Sequence, residues 1–121
     1  MRALLVIPGR FPGLNDYISA LNSNRYAGNA MKQKETSRVM SLAMNSELPS
    51  FTGPVKIRIT WFEQTRKRDI DNVCFAQKFI LDGLVRAGII QDDSQKYVFG
   101  IIHRFTHDKY NPRIEIEVMS A

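Results

Sequence analysis

Arg66-Lys67-Arg68-Asp69-Ile70-Asp71-Asn72 sets three cations directly before two carboxylates one residue apart, and a second acidic pair, Asp92-Asp93, follows further along the chain. Guanidinium and ammonium groups hold phosphates, while carboxylate oxygens hold a hard divalent cation such as Mg²⁺. Side by side, they supply what hydrolysis of a phosphodiester needs: a grip on the backbone, an activated water and neutralisation of the leaving oxygen. The chemistry they point to is that of a nuclease.

Each acid also has a simpler use. Asp71 stands at the start of a strongly periodic segment, where an aspartate caps free backbone N–H groups for ~1 kcal/mol. Gln91-Asp92-Asp93-Ser94 has the composition of a surface turn. Capping leaves Asp69 unexplained, however, and carboxylates beyond a helix C-terminus face an unfavourable dipole. If the chain is still extended at Asp69, its side chain and that of Asp71 project from one face. Two carboxylates ~4 Å apart repel by about 1 to 4 kcal/mol, so a cluster of Asp69, Asp71 and Asp93 calls for a cation. Mg²⁺, with Mn²⁺ as the alternative, accepts such oxygen ligands and bridges them to substrate phosphate. Asp92 is a neighbouring acid or a turn residue.

Lys78 lies two helical turns, ~10 Å, beyond Asp71 on roughly the same face. It is too far away to share a metal but long enough to lean towards a scissile phosphate. Its simpler alternative is a solvated lysine on a helix surface. Arg66, Lys67 and Arg68, together with Lys32 and Lys34, are the candidate phosphate contacts, which read backbone geometry more than base sequence. For each of them a solvated loop or helix position is the competing explanation.

The elements that must position these groups follow from periodicity. Ala3 to Ile7 reads as a short strand ended by Pro8-Gly9, with a turn-rich loop over Phe11-Pro12-Gly13-Leu14-Asn15. Ala27 to Asn45 suits an amphipathic helix on the spacing of Met31, Val39, Leu42 and Ala43, with Lys32, Lys34 and Arg38 towards solvent and Pro49 as its stop. Val55, Ile57, Ile59 and Trp61 alternate with polar residues, the pattern of a half-buried strand that ends near the basic-acidic run. Val73, Ala76, Ile80, Leu84 and Ala87 then give the clearest helix, with Gly88 at the C′ position. Tyr97 to Phe105 and Ile114 to Val118 read as strands, with Asn111-Pro112 as a hairpin loop between them. The expected fold is a small α+β domain over residues 1–121: a mixed sheet of about four strands, packed by two main helices in the order β-α-β-α-β-β.

At 121 residues the chain can bury a core without a staple, and its 44% hydrophobic and 24% charged residues are those of an ordinary globular domain. The net charge of +5 suits a polyanionic partner, and residues 1–46 carry six cations against two acids. One cysteine, Cys74, and two histidines exclude an internal disulfide and the usual four-ligand zinc site. The expectation is a reducing, cytoplasmic setting, with neither secretion nor membrane insertion, because no apolar run approaches the ~18 residues of a span.

Arg68-Asp69-Ile70-Asp71-Asn72, the helix end Leu81-Asp82-Gly83-Leu84-Val85-Arg86-Ala87-Gly88 and then Asp92-Asp93-Ser94-Gln95 together resemble the RusA family of Holliday junction resolvases, mostly phage and prophage endonucleases. Phe11-Pro12-Gly13-Leu14-Asn15 is similar to the family's N-terminal P-x-x-N loop, and Pro112-Arg113-Ile114-Glu115-Ile116 to its last strand. The resemblance implies that the essential acids are Asp69, Asp71 and Asp93. It also implies a homodimer that cuts four-way DNA junctions in recombination and repair. The family's lysine usually lies one turn after the second aspartate, where this chain has Phe75. Counted back from Leu81-Asp82-Gly83-Leu84, the lysine position falls on Lys78, which implies about one extra helical turn after Asn72. The competing functions are a non-catalytic junction-binding protein and a metal-dependent nuclease for other branched nucleic acids. Mg²⁺-dependent nicking of a four-way junction separates all three.

Overall fold

A computed structural model describes residues 1–121. Strand β1 (Arg2–Pro8) leads into helices α1 (Leu14–Ser23) and α2 (Ala27–Met44), then β2 (Val55–Glu63), α3 (Ile70–Cys74), α4 (Gln77–Arg86), β3 (Val98–His107) and β4 (Arg113–Ser120). The four strands form one mixed sheet in the order β1-β4-β2-β3, antiparallel except for the parallel pair β2 and β3. The α+β expectation holds. Side chains aligned across the strands build the core: Ala3, Val118 and Ile57 share one row, Leu5, Ile116 and Ile59 the next, and Ile7, Ile114 and Trp61 the third. All nine are buried, as the alternation in β1, β2 and β4 requires.

Helices α2 and α4 pack on that face at close range. A Cβ on Gly83 would stand 2.5 Å from Val39 Cβ, so only glycine lets α4 approach α2 this closely. The end of α4 is a Schellman turn: Gly88, at φ +75°, donates to the Val85 carbonyl at 3.0 Å, and Ile89 donates to that of Leu84 at 3.0 Å. Gly88 therefore occupies the expected C′ position.

Four expectations need correction. Residues 14–23 form a helix, α1, beyond the turn expected over residues 11–15: Leu14, Tyr17, Ile18 and Leu21 recur at helical spacing, although none of its residues is fully buried. Asp16 supplies the start signal, its carboxylate accepting the Gly13 N–H at 2.7 Å. The helix expected after Asp71 is two helices. Around Phe75 and Ala76 the backbone bonds tighten to three-residue spacing, with Lys78 N–H to Phe75 O at 3.2 Å and Phe79 N–H to Ala76 O at 3.0 Å. Phe75 is turned there against Tyr17 and Phe79, at ring separations of 5.1 and 5.6 Å.

The strands β3 and β4 do not form a hairpin, since β2 lies between them. Residues 108–112 cross the end of β2, where Asp108 N–H donates to Glu63 O at 2.7 Å. Finally, Arg38 does not face solvent. Its guanidinium donates to the Pro8 and Arg10 carbonyls at 2.5 and 3.0 Å, meets Glu35 at 3.2 Å and lies 4.6 Å from the Phe11 ring centroid. Helix α2 instead ends at Asn45 and Ser46, whose side chains bond back to Ser41 and Leu42 carbonyls, before Pro49 is reached.

The edge strand β3 is fixed by a polar contact within the core face. Trp61 Nε1–H donates to His103 Nδ1 at 3.0 Å, and the other ring nitrogen meets Gln77 Oε1 at 2.8 Å. An acceptor at Nδ1 requires the neutral ring with its proton on Nε2, which then donates to Gln77. Burial lowers the His103 pKa from its ordinary value of 6.5, so the folded protein holds fewer protons here than the unfolded chain. Stability should therefore fall as pH drops through 6.5 towards the lower folded value. Urea unfolding at pH 7.5 and 5.5 checks this: the loss on acidification should be smaller in His103→Gln than in wild type.

Candidate active site

Residues 64–69 carry the chain from β2 to α3, and one ion pair closes them. Arg68 donates from Nε and Nη2 to the two carboxylate oxygens of Glu63, at 2.7 and 2.9 Å, and from Nη1 to the Phe11 carbonyl at 3.1 Å. Both side chains are mostly buried, 16% and 11% exposed. The bidentate fork is the geometry for which arginine is suited. Arg68 thus faces into the fold, unlike its neighbours Arg66 and Lys67, which are exposed.

Asp69 follows immediately and sits at the N-cap of α3 in an extended conformation, but its carboxylate makes no capping bond. Asp71 is the second residue of α3, and its Oδ1 accepts the Asn72 N–H at 3.0 Å. Helix begins at Ile70, so the two acids flank its first residue and do not share the face of an extended strand. Both are exposed, and neither has an ion-pair partner. Capping therefore does not account for Asp69, while Asp71 satisfies one free N–H of the first turn and keeps its other oxygen unengaged, and the helix N-terminus favours both negative charges. Asn72 faces the other way. Its Oδ1 accepts the Asn15 N–H at 3.0 Å, and a Cβ on Gly13 would come within 2.8 Å of the Asn72 carbonyl oxygen. The loop before α1 is thereby pinned to the acidic motif.

Lys78 stands in the first turn of α4, and the chain beyond that helix folds back to meet it. The ammonium lies 3.2 Å from Asp82 Oδ1 and 3.8 Å from Asp93 Oδ2. These groups line a cleft of about 420 Å³ together with Asp92, Lys32 and Arg86. Lys32 thus comes to the second acidic pair across the α2–α4 interface, whereas Lys34 is exposed outside the cleft. Asp82 and Arg86 belong to this site without having been singled out by type and spacing. The four-residue step from Lys78 to Asp82 was the available signal. Arg86 is oriented by Gln33 Oε1 at 3.2 Å.

Asp69 and Asp71 do not line this cleft, and nowhere do three carboxylate, imidazole or thiol groups converge closely enough to hold a metal ion. Asp69 and Asp71 nonetheless offer exposed carboxylate oxygens of the kind a hard cation takes, and neither has an ion-pair partner. Cys74 is half-buried, and burial raises its thiol pKa, which removes it from the range of reactive thiolates.

Unpaired carboxylates at a helix start, a lysine held against a further acid and exposed cations are groups of the kind that phosphodiester hydrolysis on a polyanion uses. The family model for endodeoxyribonuclease RusA matches residues 12–119, and the chain belongs to that family of Holliday junction resolvases. It is an endodeoxyribonuclease acting on branched DNA, of a type that depends on divalent metal. No curated protein matches the chain in sequence. No helix is long and apolar enough to cross a membrane.

The Glu63–Arg68 pair should be costly to break from one side. Arg68→Met leaves a carboxylate nearly buried without its partner, a loss of about 3 kcal/mol. Thermal unfolding should move down by on the order of 10 °C. Calorimetry of wild type and Arg68→Met measures the shift, and the removal of an exposed cation such as Lys67→Met should leave the melting temperature within about 1 °C.

Proposed function

We propose that the protein is a Mg²⁺-dependent endonuclease, with Mn²⁺ as a substitute, that resolves four-way DNA junctions by paired nicks during recombination and repair, in bacterial or phage DNA inside the cell. The observation that carries this is the placement of Lys78 against Asp93, on the helix pair that opens with the unpaired Asp69 and Asp71. Asp69, Asp71 and Asp93 are the residues that would hold the metal, with Asp92 beside them. A bound divalent ion supplies a nucleophilic water near neutral pH and offsets charge on the phosphate oxygens.

Lys78 places a positive charge where negative charge develops on the scissile phosphate. Its pairing with Asp82 and Asp93 holds the long side chain in one direction, which lowers the entropy lost when it engages substrate. Arg66, Lys67, Lys32 and Lys34 contact phosphates, while Arg68 positions the acidic motif through Glu63. A four-way junction has approximate two-fold symmetry and needs two cuts, so a protein with one site per chain suits a homodimer.

The test is a labelled four-way junction incubated with wild-type protein in Mg²⁺, in EDTA, and with Asp71→Asn. Paired nicks only in wild type with Mg²⁺ are expected, with Asp71→Asn still binding. Lys78→Met should cut about 10² to 10³ times more slowly at nearly unchanged affinity. Junction binding without Mg²⁺-dependent nicking would overturn the proposal, and equal cutting of linear duplex would overturn junction selectivity. Metal titration by calorimetry gives an independent readout: Asp69→Asn and Asp93→Asn should each lose Mg²⁺ or Mn²⁺ binding.

A further inference from the structure

A second cavity is lined by Arg68 and Ile70, the two neighbours of Asp69, and shares no residue with Lys78's cleft. It encloses about 230 Å³ between the end of β2, the start of α3 and the edge strand β3, and its lining includes Thr65, Arg66, Ile70, Phe105 and Thr106 above the Glu63–Arg68 pair. Phe105 is 39% exposed because β3 has no further strand beyond it, and Ile70, between the two acids, is 63% exposed. None of the residues assigned to metal or to Lys78's cleft lines this cavity.

Two exposed apolar side chains at the mouth of a charged loop contribute nothing to the hydrophobic core, but they match one kind of ligand. An unstacked nucleobase offers a flat apolar face and a polar edge, and it remains attached to phosphates. Phe105 and Ile70 supply apolar surface for the face. The hydroxyls of Thr65 and Thr106 supply groups for the edge, and Arg66 supplies charge for the adjoining phosphate. Arg66 is held in place by its Nε–H donating to His107 Nδ1 at 2.9 Å. The floor carries no unpaired charge, because Glu63 and Arg68 neutralise one another. The volume lies below the roughly 300 Å³ at which pockets for drug-sized ligands begin, which suits one planar heterocycle and not a base pair.

We propose that this cavity receives a single unpaired nucleobase from the branch point of the DNA substrate, with Phe105 as the stacking surface. The proposal rests on the junction-cutting function above and adds what fixes the strand in register beside Asp69 and Asp71. Bases at a strand crossing are the least costly to withdraw, since their stacking is already interrupted. A branch point would thus be distinguished from continuous duplex by its ability to yield a base.

The test uses wild type, Phe105→Leu and Ile70→Ala, with binding measured in EDTA on four-way junctions that carry either all their bases or an abasic nucleotide at each crossover position in turn. Phe105→Leu should weaken binding of the intact junction roughly tenfold, within the range of base–aromatic stacking. One abasic position should weaken wild type by a similar factor and have little further effect on Phe105→Leu. Ile70→Ala, at an exposed position, should show the same dependence and serves if Phe105→Leu fails to fold.

Variants that bind the intact junction as wild type does, or losses that multiply with the abasic losses, would overturn the base pocket. Wild-type protein that binds no branched DNA would overturn both proposals. The predicted dependence without Mg²⁺-dependent cutting would leave the pocket standing and remove the nuclease function.

Discussion

Glu63 ends the central strand β2, and Arg68 stands one residue before the first acid of the motif. Their two parallel hydrogen bonds fold the intervening loop back on itself, and the third bond, to Phe11, draws in the segment that follows β1. Remove that closure and Asp69 loses its fixed point of departure, the cavity beside it loses its floor, and the loop before α1 keeps only Asn72 as an anchor. Carboxylates that must meet a cation at defined positions cannot hang from a free loop of six residues. The buried ion pair supplies conformational specificity more than net stability, which is the role such pairs can fill.

The cations of this chain differ in what they engage. Arg38 and Arg68 are turned inward, each donating to carbonyls of residues 8–11. Arg2, Arg58 and Arg113 meet Glu117, Glu115 and Asp108 on the sheet face opposite the helices. The lysines near the acids are left for other work: Lys32 and Lys78 at the cleft, Lys34 and Lys67 exposed. Arginine forms the internal forks because its planar donors satisfy several acceptors at once, whereas lysine acts as a point charge on a flexible stem. Of the 17 lysines and arginines only six stand in ion pairs, so most of the positive charge is left unmatched by a carboxylate.

Much of the architecture was legible because burial on one face writes a period into the sequence. The alternation in β1, β2 and β4 and the glycine closing α4 all give that signal. Helix α1 carries a period as well, in Leu14, Tyr17, Ile18 and Leu21, but none of these is fully buried, and Asp16 marks its start. The mistaken hairpin has a different origin. Two antiparallel strands separated by five residues look the same in sequence whether they are neighbours or flank a third strand, and only packing decides that β4 fits between β1 and β2. At the site, residue type and spacing single out the acids and Lys78, and the structure brings Lys78 to Asp93. The inward turn of Arg38 and Arg68 was not, because a cation beside carboxylates carries no sign of which way it faces.

The break at Phe75 and Ala76 uncouples two distances that a continuous helix would have locked together. Lys78 is carried by α4, whose position is set by Gly83 against Val39 and whose far end returns Asp93 to the lysine. Asp69 and Asp71 belong to the short segment on the other side of the break. The lysine is therefore indexed to the acid that follows it in the chain, and the number of residues separating it from the first acids becomes a free parameter. A chain built this way can gain or lose a turn at that joint while the amine and its partner carboxylate keep their spacing.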